Sequence, residues 1–122
     1  MKNYLKITWF CRTPFVFLTD RKYKCGTDAE LEGLFAKMRD IKANGFKYKA
    51  EYQDCDDFSA IMKGEASKTG WNWVGTCTGF RGWRFWQWHS WNIAWLEDGL
   101  VFIEPQGPKK MTKKYRAVMV IL

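Results

Sequence analysis

Seven of the eight tryptophans fall between Trp71 and Trp95, in a window with no acidic residue and with glycines at 75, 79 and 82. Side chains this wide favour the pleated surface of a strand, and glycines spaced among them mark turns or bulges rather than helix. The window therefore predicts strands. Most of the belt is expected to pack a core, because a small domain has little apolar area to leave exposed. A saccharide platform and a stacking surface for single-stranded nucleic acid are its two other uses. The chain has 122 residues, 47% hydrophobic and 27% charged, which predicts one folded domain over 1–122 and excludes a disordered tail or a collagen-like repeat.

Around that belt the remaining elements follow from local pattern. Residues 4–10 alternate as a strand would, with loop signals at Thr13-Pro14 and Thr19-Asp20. Thr27 and Glu30 form a capping box, and Leu31, Leu34, Phe35 and Met38 recur at helical spacing until Asn44-Gly45 stops the run. Residues 46–53 read as extended. Asp54 then caps a second helix with apolar residues Phe58, Ile61 and Met62, ending near Gly64 or Ser67. A hairpin turn at Glu97-Asp98-Gly99 joins strands 88–96 and 100–104, and 115–122 reads as a closing strand. The class is α+β, with N-terminal helices packed on a C-terminal antiparallel sheet.

The net charge of +7 is concentrated at the ends. Residues 1–50 carry eleven Lys and Arg against five acids, whereas 51–106 carry four against eight, and Glu51, Asp54, Asp56 and Asp57 fall within seven positions. Basic termini admit nucleic acid but do not favour it, since a reader of phosphates concentrates positive charge where it binds. No run approaches the roughly 18–20 apolar residues of a membrane span, and the first residues lack the apolar run of a signal peptide. A cytoplasmic protein with no membrane partner is expected. The cysteines at 11, 25, 55 and 77 form no CxxC pair, and the single histidine, His89, excludes a zinc-finger ligand set. Reduced thiols follow from the expected compartment.

Among those thiols Cys55 stands apart. It falls in the first turn of the second helix, where unpaired backbone N–H groups lower a thiol's pKa. A thiol nucleophile needs an imidazole base, and the base needs a group that orients it. His89 is the one imidazole. A turn centred on Asp98 and Gly99 sets it opposite position 108, a few residues beyond Glu104, a gap that a bulge or a longer loop absorbs. An inert buried thiol and a satisfied core histidine are the alternatives.

The words Asp54-Cys55-Asp56-Asp57-Phe58, His89-Ser90-Trp91-Asn92 and Phe102-Ile103-Glu104-Pro105-Gln106, in this order, resemble the papain-like and transglutaminase-like cysteine hydrolases. They are most similar to the C-terminal cysteine-protease domain of the Marasmius agglutinin family, over roughly residues 50–106. The resemblance implies a papain-like or transglutaminase-like fold and a cysteine peptidase cutting amide bonds of a protein or peptide substrate. By it Cys55 is the nucleophile, His89 the general base and acid, and Glu104 the orienter. Gln53 is a candidate oxyanion donor, although the papain-type glutamine lies further upstream, where this chain has Lys49. Trp88 and Trp91 are expected to line the cleft. The agglutinin domain is calcium-dependent, which makes Glu51, Asp54, Asp56 and Asp57 candidate Ca2+ ligands; a solvated acidic helix start is the plainer account. Transglutamination, and a non-catalytic basic and aromatic module for nucleic acid or an acidic protein, are the other functions considered.

Overall fold

The structure is a computed structural model that describes residues 1–50, 53–81, 87–112 and 115–122. Three helices and six strands are formed among them: α1 (Lys2–Cys11), β1 (Val16–Phe17), α2 (Asp28–Ala43), α3 (Cys55–Ser67), β2 (Val74–Phe80), β3 (Trp88–Leu96), β4 (Gly99–Glu104), β5 (Lys109–Lys110) and β6 (Arg116–Ile121). The class is α+β. The sheet runs β1-β6-β2-β3-β4-β5 and is mixed rather than wholly antiparallel, because β1 pairs parallel with the C-terminal β6.

Helix α2 begins on the expected cap: the Glu30 N–H donates to Thr27 Oγ1 at 3.1 Å, and the Thr27 N–H donates to Glu30 Oε2 at 2.7 Å. It ends at Asn44, with Gly45 at φ 107° turning the chain. The expected strand at 4–10 is instead α1. Its β-branched and aromatic residues suggested alternation, but Ile7 and Cys11 lie one helical turn apart and both are buried, so packing of a single helix face decides the state over local propensity. The extended stretch expected at 46–53 shrinks to a bridge between Lys49 and Gln53, and residues 51 and 52 lie outside the described ones.

Two cores flank the sheet. On one face Leu31, Phe35, Met38, Phe58 and Met62 of α2 and α3 pack on Trp73, Val74, Ala94 and Ile103. On the other, Ile7 and Cys11 of α1 pack on Cys77, Trp91, Ile93, Phe102 and Val120. Along β3 the odd residues Trp91 and Ile93 serve the α1 side, and the even residue Ala94 serves the side of α2 and α3, as the period of two requires.

Gly79 is where this regularity yields. The β2–β6 register shifts between Thr78 and Gly79, and a Cβ on Gly79 would run into the β6 backbone at Arg116 and Ala117. A bulge needs this close approach. It lies directly across the β2–β3 pair from His89.

Candidate functional site

Cys55 opens α3, whose N-terminus is closed by Asp57: its Oδ2 accepts from the Asp54 N–H at 3.2 Å. His89 is the second residue of β3, and its Nε2 lies 3.1 Å from Glu104 Oε2 at the end of β4. The hairpin explains that contact. Leu96 pairs with Gly99 and Asn92 with Ile103, so continuing the register sets Glu104 opposite Trp91, diagonal to His89 on the same face. The turn is centred one residue earlier than the sequence suggested, on Glu97 and Asp98, which moves each cross-strand partner two positions earlier, and no bulge in this hairpin is required. Glu104 is held in turn by the Gln106 N–H, which donates to Oε1 at 3.2 Å.

The thiol meets β3 twice. The Ser90 N–H donates to Cys55 Sγ at 3.3 Å, and the His89 side chain is near enough to the thiol to dominate its titration. With Nε2 taken by Glu104, Nδ1 is the ring nitrogen left for the sulfur. The three titrating groups shift together. The His89 side chain lowers the pKa of Cys55, against burial, with the Ser90 N–H and the imidazolium charge adding to the lowering and Asp54 opposing it. Burial works against a charged His89, but its interactions with Cys55 and Glu104 and the charge of Glu104 outweigh it and raise the imidazole from 6.5 to about 9. Burial would raise Glu104 as well; the His89 bond and the Gln106 N–H outweigh it and hold the carboxyl below its usual range. The arrangement favours a thiolate beside an imidazolium.

Aromatic rings fix the imidazole in place. Trp91 stacks on it at 6.1 Å between centroids, Tyr115 meets it edge-on at 5.7 Å, and the Arg81 guanidinium lies 5.8 Å from the Tyr115 ring. Trp91 is fully buried and so forms the wall behind His89, whereas Trp88 is 56% exposed beside it. Gln53 is joined by its backbone to Lys49, at 2.9 and 2.8 Å, two residues before the thiol.

A buried polar clamp joins the helix to the strand. Asn92 Nδ2 donates to the carbonyls of Ser59 at 2.9 Å and Gly75 at 3.0 Å, and Ser59 Oγ donates to the Trp91 carbonyl at 3.1 Å. Ser59 lies one turn beyond Cys55, so the clamp sets how far α3 stands from β3 and hence where the sulfur meets the ring. The sequence signal for it was an even-numbered polar residue inside a buried strand, matched by a serine four residues after the cysteine.

The acids gather less completely. Asp54, Cys55 and Asp56 place one donor atom each within 4.8 Å of one another, while the Asp57 carboxylate is turned to the helix cap. Glu51 lies outside the described residues. Ca2+ takes six to eight oxygens, and Asp54 and Asp56 are the carboxylates that the described residues bring together beside the thiol. No step is assigned to a metal.

No protein-family model matches the chain. No curated protein matches it either. Solved structures do. One, described as a PSL1a–E64 complex, superposes with a TM-score of 0.73 at 20% identity over 88% of this chain and 42% of that one. Another, Polyporus squamosus lectin bound to the sialylated epitope Neu5Aca2-6Galb1-4GlcNAc, gives 0.78 at 18% identity over 98% of this chain and 47% of that one. The chain thus spans less than half the length of each, and identity this low shows the fold alone.

These likenesses correct the recognition made from sequence. One matching structure is described as a lectin and the other only as a PSL1a–E64 complex, and neither is described as a papain-like or transglutaminase-like cysteine hydrolase. The assignment as a peptidase domain, the enzyme and thiol-protease descriptions, the transglutaminase alternative and the peptide substrate are withdrawn with it. The physical reason is that short words around a cysteine, a histidine and a glutamate report how three side chains meet, not what ligand the surrounding surface accepts. No helix among the described residues is long and apolar enough to cross a membrane.

Proposed function

We propose that the protein is a ligand-binding domain whose working centre is an activated thiol: Cys55 as thiolate, His89 as imidazolium and Glu104 as its orienting carboxylate. The observation that carries this reading is the convergence of the His89 ring and the Ser90 N–H on Cys55 Sγ. Such a sulfur bonds covalently to an electrophilic carbon on its ligand. With iodoacetamide as probe, the thiolate pair forms the S–C bond, the C–I bond breaks, and iodide leaves with its electrons. Mass spectrometry of the briefly alkylated protein tests the reading. Cys55 is expected to label at least about tenfold faster than Cys11, Cys25 or Cys77 near neutral pH. Equal rates at all four would remove the thiol from the function.

A second reading rests on exposed aromatic rings. Trp88 and Trp71 stand 56% and 46% exposed, while Trp73 and Trp91 are core. Exposed indoles offer flat apolar area with a polar edge, and the likeness to a lectin bound to a sialylated glycan makes a carbohydrate the ligand class to try first. Titration with that trisaccharide, repeated on Trp88→Ala, decides it. Binding that is absent, or unchanged by the substitution, would reject this reading and leave the thiol reading standing.

A further inference from the structure

Away from the thiol, α1 and the β3–β4 hairpin enclose an open cleft of about 1180 Å³. Leu5, Trp9 and Phe10 of the helix form one wall, and Trp95 and Leu100 of the hairpin form the other. Trp9 is 87% exposed and Leu5 58%, an unusual amount of large apolar surface to leave in water on one helix. Among the described residues the charged side chains on the lining are Lys6 and Arg12, with no carboxylate. Among the described residues neither cation has an ion-pair partner. Thr8, also on the lining, carries a buried hydroxyl oxygen with no partner among them. None of these residues belongs to the thiol centre.

We infer that this cleft binds a single-chain amphiphile with an anionic head, of the fatty-carboxylate class. The chain lies between the aromatic walls, where it covers Trp9 and Leu5, and the carboxylate is paired by Lys6 and Arg12. An apolar cleft with a few polar groups is the usual form of a small-molecule site, and here both charges on its lining have one sign. The recess between helix and hairpin suits an inserted chain better than a flat surface.

The test is calorimetric titration of the whole protein with dodecanoate below its micelle concentration, with dodecan-1-ol and dodecyltrimethylammonium as controls. The indole N–H resonances of Trp9 and Trp95 are followed in parallel. Saturable one-to-one binding of dodecanoate, weaker binding of the alcohol and none of the cation are expected, with both indole signals shifting. Lys6→Glu with Arg12→Glu should weaken binding at least about tenfold while the melting temperature holds, since both side chains are exposed. Trp9→Ala, at an exposed position, should weaken it independently. Equal binding of the three head groups, no saturation, or insensitivity to the charge reversal would overturn the inference. Binding only to phosphatidylglycerol vesicles, with none to monomeric dodecanoate, would overturn it too, by making the face a membrane contact.

Discussion

At Cys55 the nearby His89 side chain, the Ser90 N–H and the imidazolium charge draw the proton from the sulfur, while burial and Asp54 hold it there. The balance falls to the thiolate, so the alkylation midpoint should lie below the ordinary thiol value of 9.0, and His89→Asn should return it upward. An alkylation-rate profile against pH measures both. Glu104 acts through the ring. Glu104→Gln removes the charge that raises His89, so the imidazole midpoint, read by NMR of its ring protons, should fall below about 9. The stability effect has a defined window. A depressed carboxylate contributes above its ordinary value of 4.5 and loses that contribution as pH falls through the lowered one, whereas a raised imidazole contributes fully below 6.5 and loses it as pH rises through about 9. The stability gap between the unmutated protein and Glu104→Gln should therefore be widest from about pH 4.5 to 6.5 and close at both ends, as urea unfolding across pH would show. Its maximum should be about 1–3 kcal/mol, since the variant keeps a hydrogen-bonding group where the charge was.

Between elements, the separation of α3 from β3 is set by Asn92, and the approach of β6 to β2 by Gly79. Asn92→Ala would remove two buried hydrogen bonds, from Nδ2 to the carbonyls of Ser59 and Gly75, at a cost of about 0.5–1.5 kcal/mol each. It should also slow Cys55 alkylation at neutral pH, because the sulfur would no longer be held against the ring and the Ser90 N–H. Loss of stability with undiminished alkylation would confine Asn92 to packing. Gly79→Ala should cost about 1–3 kcal/mol by forcing β6 away at the bulge, and chemical denaturation measures it. The elements themselves were unequally legible. Helix α2 was readable because its cap, its apolar stripe and its stop are all local, and α3 was readable for the same reason. Helix α1 was not, since Tyr4-Leu5-Lys6-Ile7-Thr8-Trp9-Phe10 satisfies strand propensity while its burial obeys a helical turn.

Across the whole molecule, α1 and α3 lie on opposite faces of one sheet, and Trp91 joins the α1 core to the His89 ring. Ile7→Ala empties a fully buried site under α1 and should cost about 2–5 kcal/mol in urea unfolding, and loosening the core behind Trp91 should also slow Cys55 alkylation. A melting series in Ca2+ against chelator tests the acids around Cys55, where Asp54 and Asp56 bring an oxygen each beside the thiol: a melting temperature that rises with Ca2+ assigns them to a hard cation, and an indifferent one leaves them a helix start. By itself the sequence determined the α+β class, the capped helices and the β3–β4 hairpin, because capping, periodicity and turn chemistry are all contained in short windows. Tertiary structure alone decided that β1 joins the sheet beside the C-terminal strand, that Trp91 is wall and Trp88 surface, and that Ser90 and Asn92 hold the sulfur to the ring. It also corrected the recognition as a cysteine hydrolase, through a likeness of fold alone. Those outcomes depend on which residues meet across the sheet and on the shape of the whole chain, and contacts between segments dozens of residues apart leave no periodic trace in any one of them.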